Sequence, residues 1–431
     1  MRLILTTLGS RGDVQPFVTL GHEMKRRGHQ VGIAAPAEYG DLVAEAQLEH
    51  TPLPGAPSEF LPGRSWKSLA EPQLAAMVKH STSAVRLSRA LSVIPKRAAH
   101  DPYDLVQALQ AASRGADVVV NAVLTRPVHL LTGDETPWAA VASWPHSQTG
   151  AFPAFGAPRL PLGPHYNRLT HAARAQLEWQ FARRAVNAFR GSTGLPPLGL
   201  GSPLRTLGED IPVFYPFSPS VLRPSWDWPK NSYLTGFWFW DRQWEPSSDL
   251  RGFVEEGPPP VVLTLGSMWP IHRRFHVLRM ALAAVRKAGQ RLVFVGGHPG
   301  EPLPSYAFHA DEVDYRWLFP RSACVIHHGG PGTMGEALRA GVPQVALPAL
   351  VDQPFWAAHM RSLGVAAEPV PLPKISLTKL HASLSECLSN AQLARRASQV
   401  ATYVRSDGGV AEAAEALENW VAGRSPAGRA R

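Results

Sequence analysis

Residues 323–336, Ala-Cys-Val-Ile-His-His-Gly-Gly-Pro-Gly-Thr-Met-Gly-Glu, constrain this chain more than any other stretch. Ala323 to Ile326 is an unbroken apolar run, the pattern of a strand buried on both faces of a parallel sheet. It breaks at Gly329 and Gly330 and restarts as a helix near Thr333. Such a strand, glycine loop and helix build one layer of an α/β sheet and also cradle an anion. Glycines let the backbone approach closely, and the helix presents free N–H groups with the positive end of its dipole. His327 and His328 stand at the strand end, where a ring N–H can reach the same anion. No Gly-Lys-Ser/Thr follows, so this is not a Walker loop. It reads as a diphosphate site without a magnesium ligand.

The chain begins with a second such unit, Leu3-Ile-Leu-Thr-Thr-Leu-Gly-Ser-Arg-Gly-Asp-Val-Gln-Pro16. A helix is expected from about Pro16 to Arg27, closed by Gly28, with a strand over 31–35. The Gly-x-Gly-x-x-Gly order of a dinucleotide site is absent, which argues against a nicotinamide or flavin oxidoreductase. The loop offers instead one carboxylate, Asp13, near the carboxyl end of a strand, where ligands of open α/β sheets lie.

Strand and helix patterns continue to alternate. Strands are expected over 118–121, 138–143, 260–267, 291–295, 324–327 and 344–347. Helices are expected over 72–79, 84–92, 105–112, 166–190, 275–288 and 333–340, and an apolar stripe at Val410, Ala413, Ala414, Leu417 and Val421 marks a last one. The stretch 144–164, rich in Pro, Gly and Phe, has no period and reads as a long functional loop. The pattern restarts after the Pro- and Trp-rich stretch Phe214–Trp240. With 431 residues, two domains with substantial cores are expected. The boundaries read as 1–215, a linker at 216–240, 241–405, a helix at 406–423, and a disordered tail at 424–431. The two cysteines, Cys324 and Cys387, are far apart and fit a reducing cytoplasm without disulfides. No signal peptide is read at Met1-Arg2-Leu-Ile-Leu, and no apolar run approaches the ~20 residues of a membrane span. The net charge of +9 comes without a basic run interleaved with aromatics, so nucleic acid is not an expected partner; membrane contact is peripheral at most.

Gly9-Ser-Arg-Gly-Asp-Val-Gln-Pro16, His327-His-Gly-Gly-Pro-Gly-Thr333 and Asp352-Gln-Pro354 together resemble the family-one glycosyltransferases of the GT-B fold. The nearest branches are the sterol glucosyltransferases and the bacterial enzymes that glycosylate antibiotics and lipids. The resemblance implies two Rossmann-like domains facing across a cleft, a last helix, 406–423, that crosses back to the first of them, and a metal-independent, inverting sugar transfer. The substrates would be a UDP- or TDP-sugar and a lipophilic hydroxyl acceptor, with no further cofactor. It implies Asp13 as general base, His328 with Gly330, Gly332 and Thr333 on the donor diphosphate, and Gly266-Ser267 opposite them. Asp352 and Gln353 would hold the sugar, and Trp317-Leu318 the base. Ser10, Arg11 and Gly12 would border the donor. Glu336, at the spacing where some members bind both ribose hydroxyls, leans the donor toward UDP.

Each residue also has a plainer reading. Asp13 could cap a helix, His328 could be a core histidine, Glu336 could answer the helix dipole, and Trp317 could be core. Trp144, Phe152 and Phe155, with the stretch 66–94, are expected to line an apolar acceptor site or to be core themselves. Two other functions fit the same fold: a nucleotide-sugar epimerase, and a non-catalytic partner protein. Intact Asp13, His328 and Gln353 speak against the second.

Overall fold

A computed structural model describes residues 1–54, 102–123, 125, 135–154, 157, 158, 160–203, 211–350 and 352–423. The helices expected at 72–79 and 84–92, the stretch 66–94 and the tail 424–431 lie outside them. The described residues form two compact units, one from within 1–65, 91–240 and 408–431, the other from within 241–407.

The first unit holds β1 (Arg2–Thr6), α1 (Arg11–Arg26), β2 (Gln30–Pro36), α2 (Gly40–Glu45), β3 (Glu49–Leu53), α3 (Pro102–Ser113), β4 (Val118–Ala122), β5 (Trp138–Val141), α4 (Gly163–Ser192), β6 (Val213–Tyr215) and β7 (Ser232–Leu234). The strands pair in parallel in the order β3-β2-β1-β4-β5-β6-β7. Alternation along the central strands feeds two cores. Leu3, Leu5, Ile33, Val118 and Val120 meet Val14, Phe17, Val18 and Met24 of α1 on one face. Ile4, Ala34 and Val119 meet Leu109 and Ala112 of α3 on the other. Covering both faces is what makes these strands apolar throughout.

Two sequence expectations change here. The stretch 216–240 is not a bare linker, because it carries β7 and completes the sheet. Helix α1 starts at Arg11 rather than near Pro16, which sits inside it. The helix starts early because the Asp13 carboxylate accepts from the Ser10 N–H (2.7 Å) and the Ser10 hydroxyl (3.0 Å), fastening the first turn.

The second unit holds α5 (Ser248–Glu255), β8 (Val261–Thr264), α6 (Trp269–Arg274), α7 (Val277–Lys287), β9 (Leu292–Val295), β10 (Ala307–Ala310), α8 (Tyr315–Leu318), β11 (Cys324–His327), α9 (Pro331–Ala340), β12 (Gln344–Ala346), α10 (Gln353–Leu363), α11 (Leu377–Ser389) and α12 (Ala391–Ser406). Its parallel order is β10-β9-β8-β11-β12. The helix expected over 275–288 is α7, and a further short helix, α6, precedes it, the two parted at His276, whose φ of 53° is left-handed.

The last helix, α13 (Gly409–Ala422), belongs to the first unit. Ala413, Ala414 and Leu417 are buried in the same core as Phe17 and Val18. Glu418 accepts from Arg27 Nη1 at 3.0 Å and lies 2.7 Å from His29 Nε2. Gly409, at φ 60°, makes the turn into this helix, and a Cβ there would come within 3.2 Å of the Phe237 carbonyl oxygen.

Candidate active site

In each sheet the strand order reverses beside the first strand of its unit, between β1 and β4 and between β8 and β11. Loops leaving the carboxyl ends of such strands diverge and leave a crevice for a ligand. In each unit, most of the described residues singled out by sequence follow the carboxyl end of a strand.

In the second unit, β8 runs through Leu265 into Gly266 and Ser267, both exposed, with Gly266 at φ 48°. β11 runs into His328 and then Gly329 (φ 91°) and Gly330, which precedes α9. A Cβ on Gly266 would lie 3.8 Å from His328 Cε1, so the two loops meet at this ring. Gly330 lies closer still: a Cβ there would sit 2.3 Å from His328 Nε2. Only glycine leaves room for the imidazole. His328 Nδ1 is buried without a hydrogen-bond partner. Burial, with His327 and His272 nearby, holds the ring's pKa well below 6.5, so the free site carries it neutral. Pro331 opens α9 with no N–H to satisfy, and no side chain caps the helix, which leaves the first-turn N–H groups of Gly332 and Thr333 without an intrahelical acceptor.

His327 departs from expectation. Strand alternation turns it away from His328 into the interior. Its Nδ1 accepts from the Gly329 N–H (3.1 Å), so its Nε2 donates to Gln344 Oε1 (2.9 Å), and burial lowers its pKa to about 4. His327 shapes the loop and does not reach an anion.

Gln353 is buried, and its Oε1 accepts from the N–H groups of Ala349 (2.9 Å) and Leu350 (3.1 Å). These bonds hold the loop after β12 and leave the Nε2 end of the amide for other work. Asp352 is half-buried at the start of α10. Glu336 Oε2 accepts from Arg339 Nη2 (2.7 Å), and the same guanidinium donates to Asp241 through Nη1. Burial nevertheless raises Glu336 to about 7, with Asp241 and Asp314 adding like charge against the pull of Arg339. Trp317 is half-buried beside Trp244, with the Arg321 guanidinium 5.0 Å from its ring centre. Leu318 is fully buried in the unit's core, so its side chain cannot meet a ligand.

In the first unit, Gly9 (φ 123°) passes so close to Asp13 that a Cβ would lie 2.4 Å from Oδ2. Asp13 is half-buried. Desolvation raises its pKa above 3.8 against the two Ser10 hydrogen bonds, which stabilise the ionised form. It is therefore a helix-capping group and a more basic carboxylate at once. Arg11, exposed, donates to Gln15 Oε1 (3.2 Å), and Gly12 is exposed beside it. At the end of β4, Asn121 is buried, with Oδ1 facing the Thr6 hydroxyl (2.6 Å) and Nδ2 unpartnered.

Trp144 is half-buried, its indole N–H unpartnered and its ring edge-on to His146. Phe152 packs near His171, which contacts the Phe152 carbonyl at 3.1 Å. Phe155 lies outside the described residues. Sequence reasoning missed the residue that holds this loop, Asp227. Its carboxylate accepts from the Thr149 and Ser225 hydroxyls, the Gly150 N–H and Arg168. Together these hold its pKa far below the ordinary range despite burial. A lone Asp in a Pro/Trp stretch gives no sign of partners 60 to 80 residues away.

Two family models match the chain: the glycosyltransferase family 28 N-terminal domain over residues 3–94, and the erythromycin biosynthesis protein CIII-like C-terminal domain over residues 301–420. An O-mycaminosyltylonolide 6-deoxyallosyltransferase of Streptomyces fradiae is 43% identical over 432 residues, covering 99% of each chain. A sterol 3-beta-glucosyltransferase of Pichia angusta is 30% identical over 97% of this chain, which spans 33% of that longer protein. Among solved structures, the glycosyltransferase VinC in complex with dTDP superimposes with a TM-score of 0.64 at 19% identity, covering 98% of this chain and 99% of VinC.

Proposed function

Since the chain belongs to the glycosyltransferases of the GT-B fold, we propose that it moves a deoxyhexose from a nucleotide diphosphate sugar to a hydroxyl of a lipophilic natural product of macrolide type, with inversion. The observation that carries the donor half is the His328 ring, seated in the space Gly330 leaves, with a buried nitrogen unpartnered beside the open start of α9.

The acceptor oxygen attacks the anomeric carbon as Asp13 takes its proton. The bond from that carbon to the diphosphate oxygen breaks on the opposite face, which inverts the centre. Charge growing on the departing diphosphate is met by a His328 N–H and the N–H groups of Gly332 and Thr333, donors already in place before the reaction. The raised pKa of Asp13 suits it to this, because a more basic carboxylate takes a hydroxyl proton with less penalty. Asp352 and the Gln353 amide hold sugar hydroxyls, and Trp317 borders the base. Trp144 and Phe152 give the acceptor an apolar wall.

The donor nucleotide is read as TDP rather than UDP. Glu336 already commits an oxygen to Arg339, which weakens the argument for a two-hydroxyl ribose clamp. The full-length relative is named as a 6-deoxyallosyltransferase, and VinC was solved with dTDP. Calorimetry should find TDP bound at least as tightly as UDP; a clear preference for UDP reverses this choice. Asp13→Asn should leave nucleotide affinity unchanged and cut turnover by about two to four orders of magnitude. Near wild-type turnover would remove Asp13 as the base. An epimerase would convert the nucleotide sugar with no acceptor present, whereas the transferase releases nucleotide diphosphate only when acceptor is added.

A further inference from the structure

The carboxyl edge of the second unit's sheet is crossed by His272, a fully buried side chain of α6. Its Nδ1 lies 2.9 Å from the Met268 carbonyl oxygen, in the turn formed by Gly266, Ser267 and Met268. Its Nε2 lies 3.0 Å from the Leu347 carbonyl oxygen, where β12 runs out toward Asp352 and Gln353. β8 and β12 are not neighbours, because β11 lies between them. His272 thus bridges the two outer loops across the end of the strand that leads to His328.

We infer that His272 is a positioning residue of the donor site, which fastens these two loops together and carries a proton on each ring nitrogen while a diphosphate is bound. This rests on the donor reading above. A carbonyl oxygen only accepts. A neutral imidazole, with one N–H, therefore satisfies one carbonyl and sets a lone pair against the other, whereas the imidazolium satisfies both. In the free protein, burial outweighs the two carbonyl contacts and lowers the ring's pKa below 6.5.

His328, in the loop after β11, lies within electrostatic reach of it, with His327 just before that residue. On its own helix Arg273, which is exposed, and Arg274 follow it. The turn Gly266–Met268 and the segment 344–350 carry no charged side chain, and Arg279, Arg286 and Lys287 of α7 are exposed. A diphosphate at the His328 loop supplies the negative charge these surroundings lack. The second proton then comes from solvent as the nucleotide binds, and the clamp closes on both carbonyls when the donor is in place.

Calorimetry of TDP and UDP binding near pH 7, in buffers of differing ionisation enthalpy, reads this proton directly. With a second pKa of about 6, the nucleotide's own terminal phosphate is mostly ionised there and contributes little. The wild type should take up a substantial fraction of a proton per nucleotide. Its affinity should weaken as pH rises, by up to about tenfold per pH unit. His272→Gln should take up none and raise the donor KM about tenfold, with a smaller change in kcat; a merely structural role would lower melting temperature and active fraction and leave KM alone. His328→Asn should weaken binding yet keep the uptake.

Uptake that persists in His272→Gln, or that vanishes in His328→Asn instead, overturns the inference. If His272→Gln does not fold, the wild type decides alone, since pH-independent affinity without uptake overturns it equally. Failure of both nucleotides to bind would remove the donor reading itself, whereas binding without proton uptake removes only the role of His272.

Discussion

Gly330→Ala tests whether the His328 ring is held in place by the absence of a side chain opposite it. The backbone of Gly330 is at φ −70° and ψ 143°, open to alanine, so no torsional strain intervenes. The new methyl would lie 2.3 Å from His328 Nε2, 3.1 Å from Cδ2 and 3.2 Å from Cε1. A carbon and a nitrogen cannot approach that closely, so the ring must turn out of its seat. If the ring makes the charge-assisted bond to the diphosphate, its loss costs roughly 1.5–3 kcal/mol, or about tenfold to 150-fold in nucleotide affinity. The fold should survive, because glycine to alanine at a permitted φ slightly favours the folded chain. Calorimetry on Gly330→Ala, His328→Ala and the double variant forms a cycle. Each single change should weaken binding by a similar factor, and the double variant should be no worse than His328→Ala, since the atoms the methyl strikes are then gone. Additive losses would refute the reasoning and mean that residue 330 acts through its own backbone.

Gln353→Ala and Asp352→Ala should slow sugar transfer while leaving affinity for free nucleotide diphosphate nearly unchanged, because their proposed partners are sugar hydroxyls. Equal loss of nucleotide binding would return Gln353 to its role at the Ala349 and Leu350 N–H groups alone. Glu336 should make the protein less stable as pH rises from 4.5 through about 7, because the folded state holds a proton that the unfolded chain releases. The difference is on the order of 3 kcal/mol, and chemical denaturation of Glu336→Gln across that range should show a flatter profile; an unchanged slope would mean the carboxyl is not raised. Deleting residues 409–431 should destabilise the first unit and abolish transfer, since it strips Ala413, Ala414 and Leu417 from the core and Glu418 from Arg27 and His29. Deleting 424–431 alone should change neither, as thermal melting and product assays would show.

Much of this protein was legible as sequence, because strand and helix periods and glycine breaks are local. The apolar runs at residues 3–6, 118–122 and 324–327 are strands, and the breaks at Gly9 and Gly329 are left-handed turns that admit few other residues. Periodicity could not find short edge strands such as β7, whose pattern is too brief to stand out from the Pro/Trp stretch around it. Roles set by partners distant in the chain were also out of reach. Strand alternation separated His327 from His328, although they look equivalent side by side. Asp13 proved to be both cap and candidate base, alternatives that sequence could only weigh against each other. The hubs at Asp227 and His272 were invisible, because each ties a near neighbour to a segment some 75 to 78 residues away, Thr149 for Asp227 and Leu347 for His272. Spacing along a chain encodes which residues share an element. Which lone polar side chain bridges two loops is decided only once sheet order has brought the loops together.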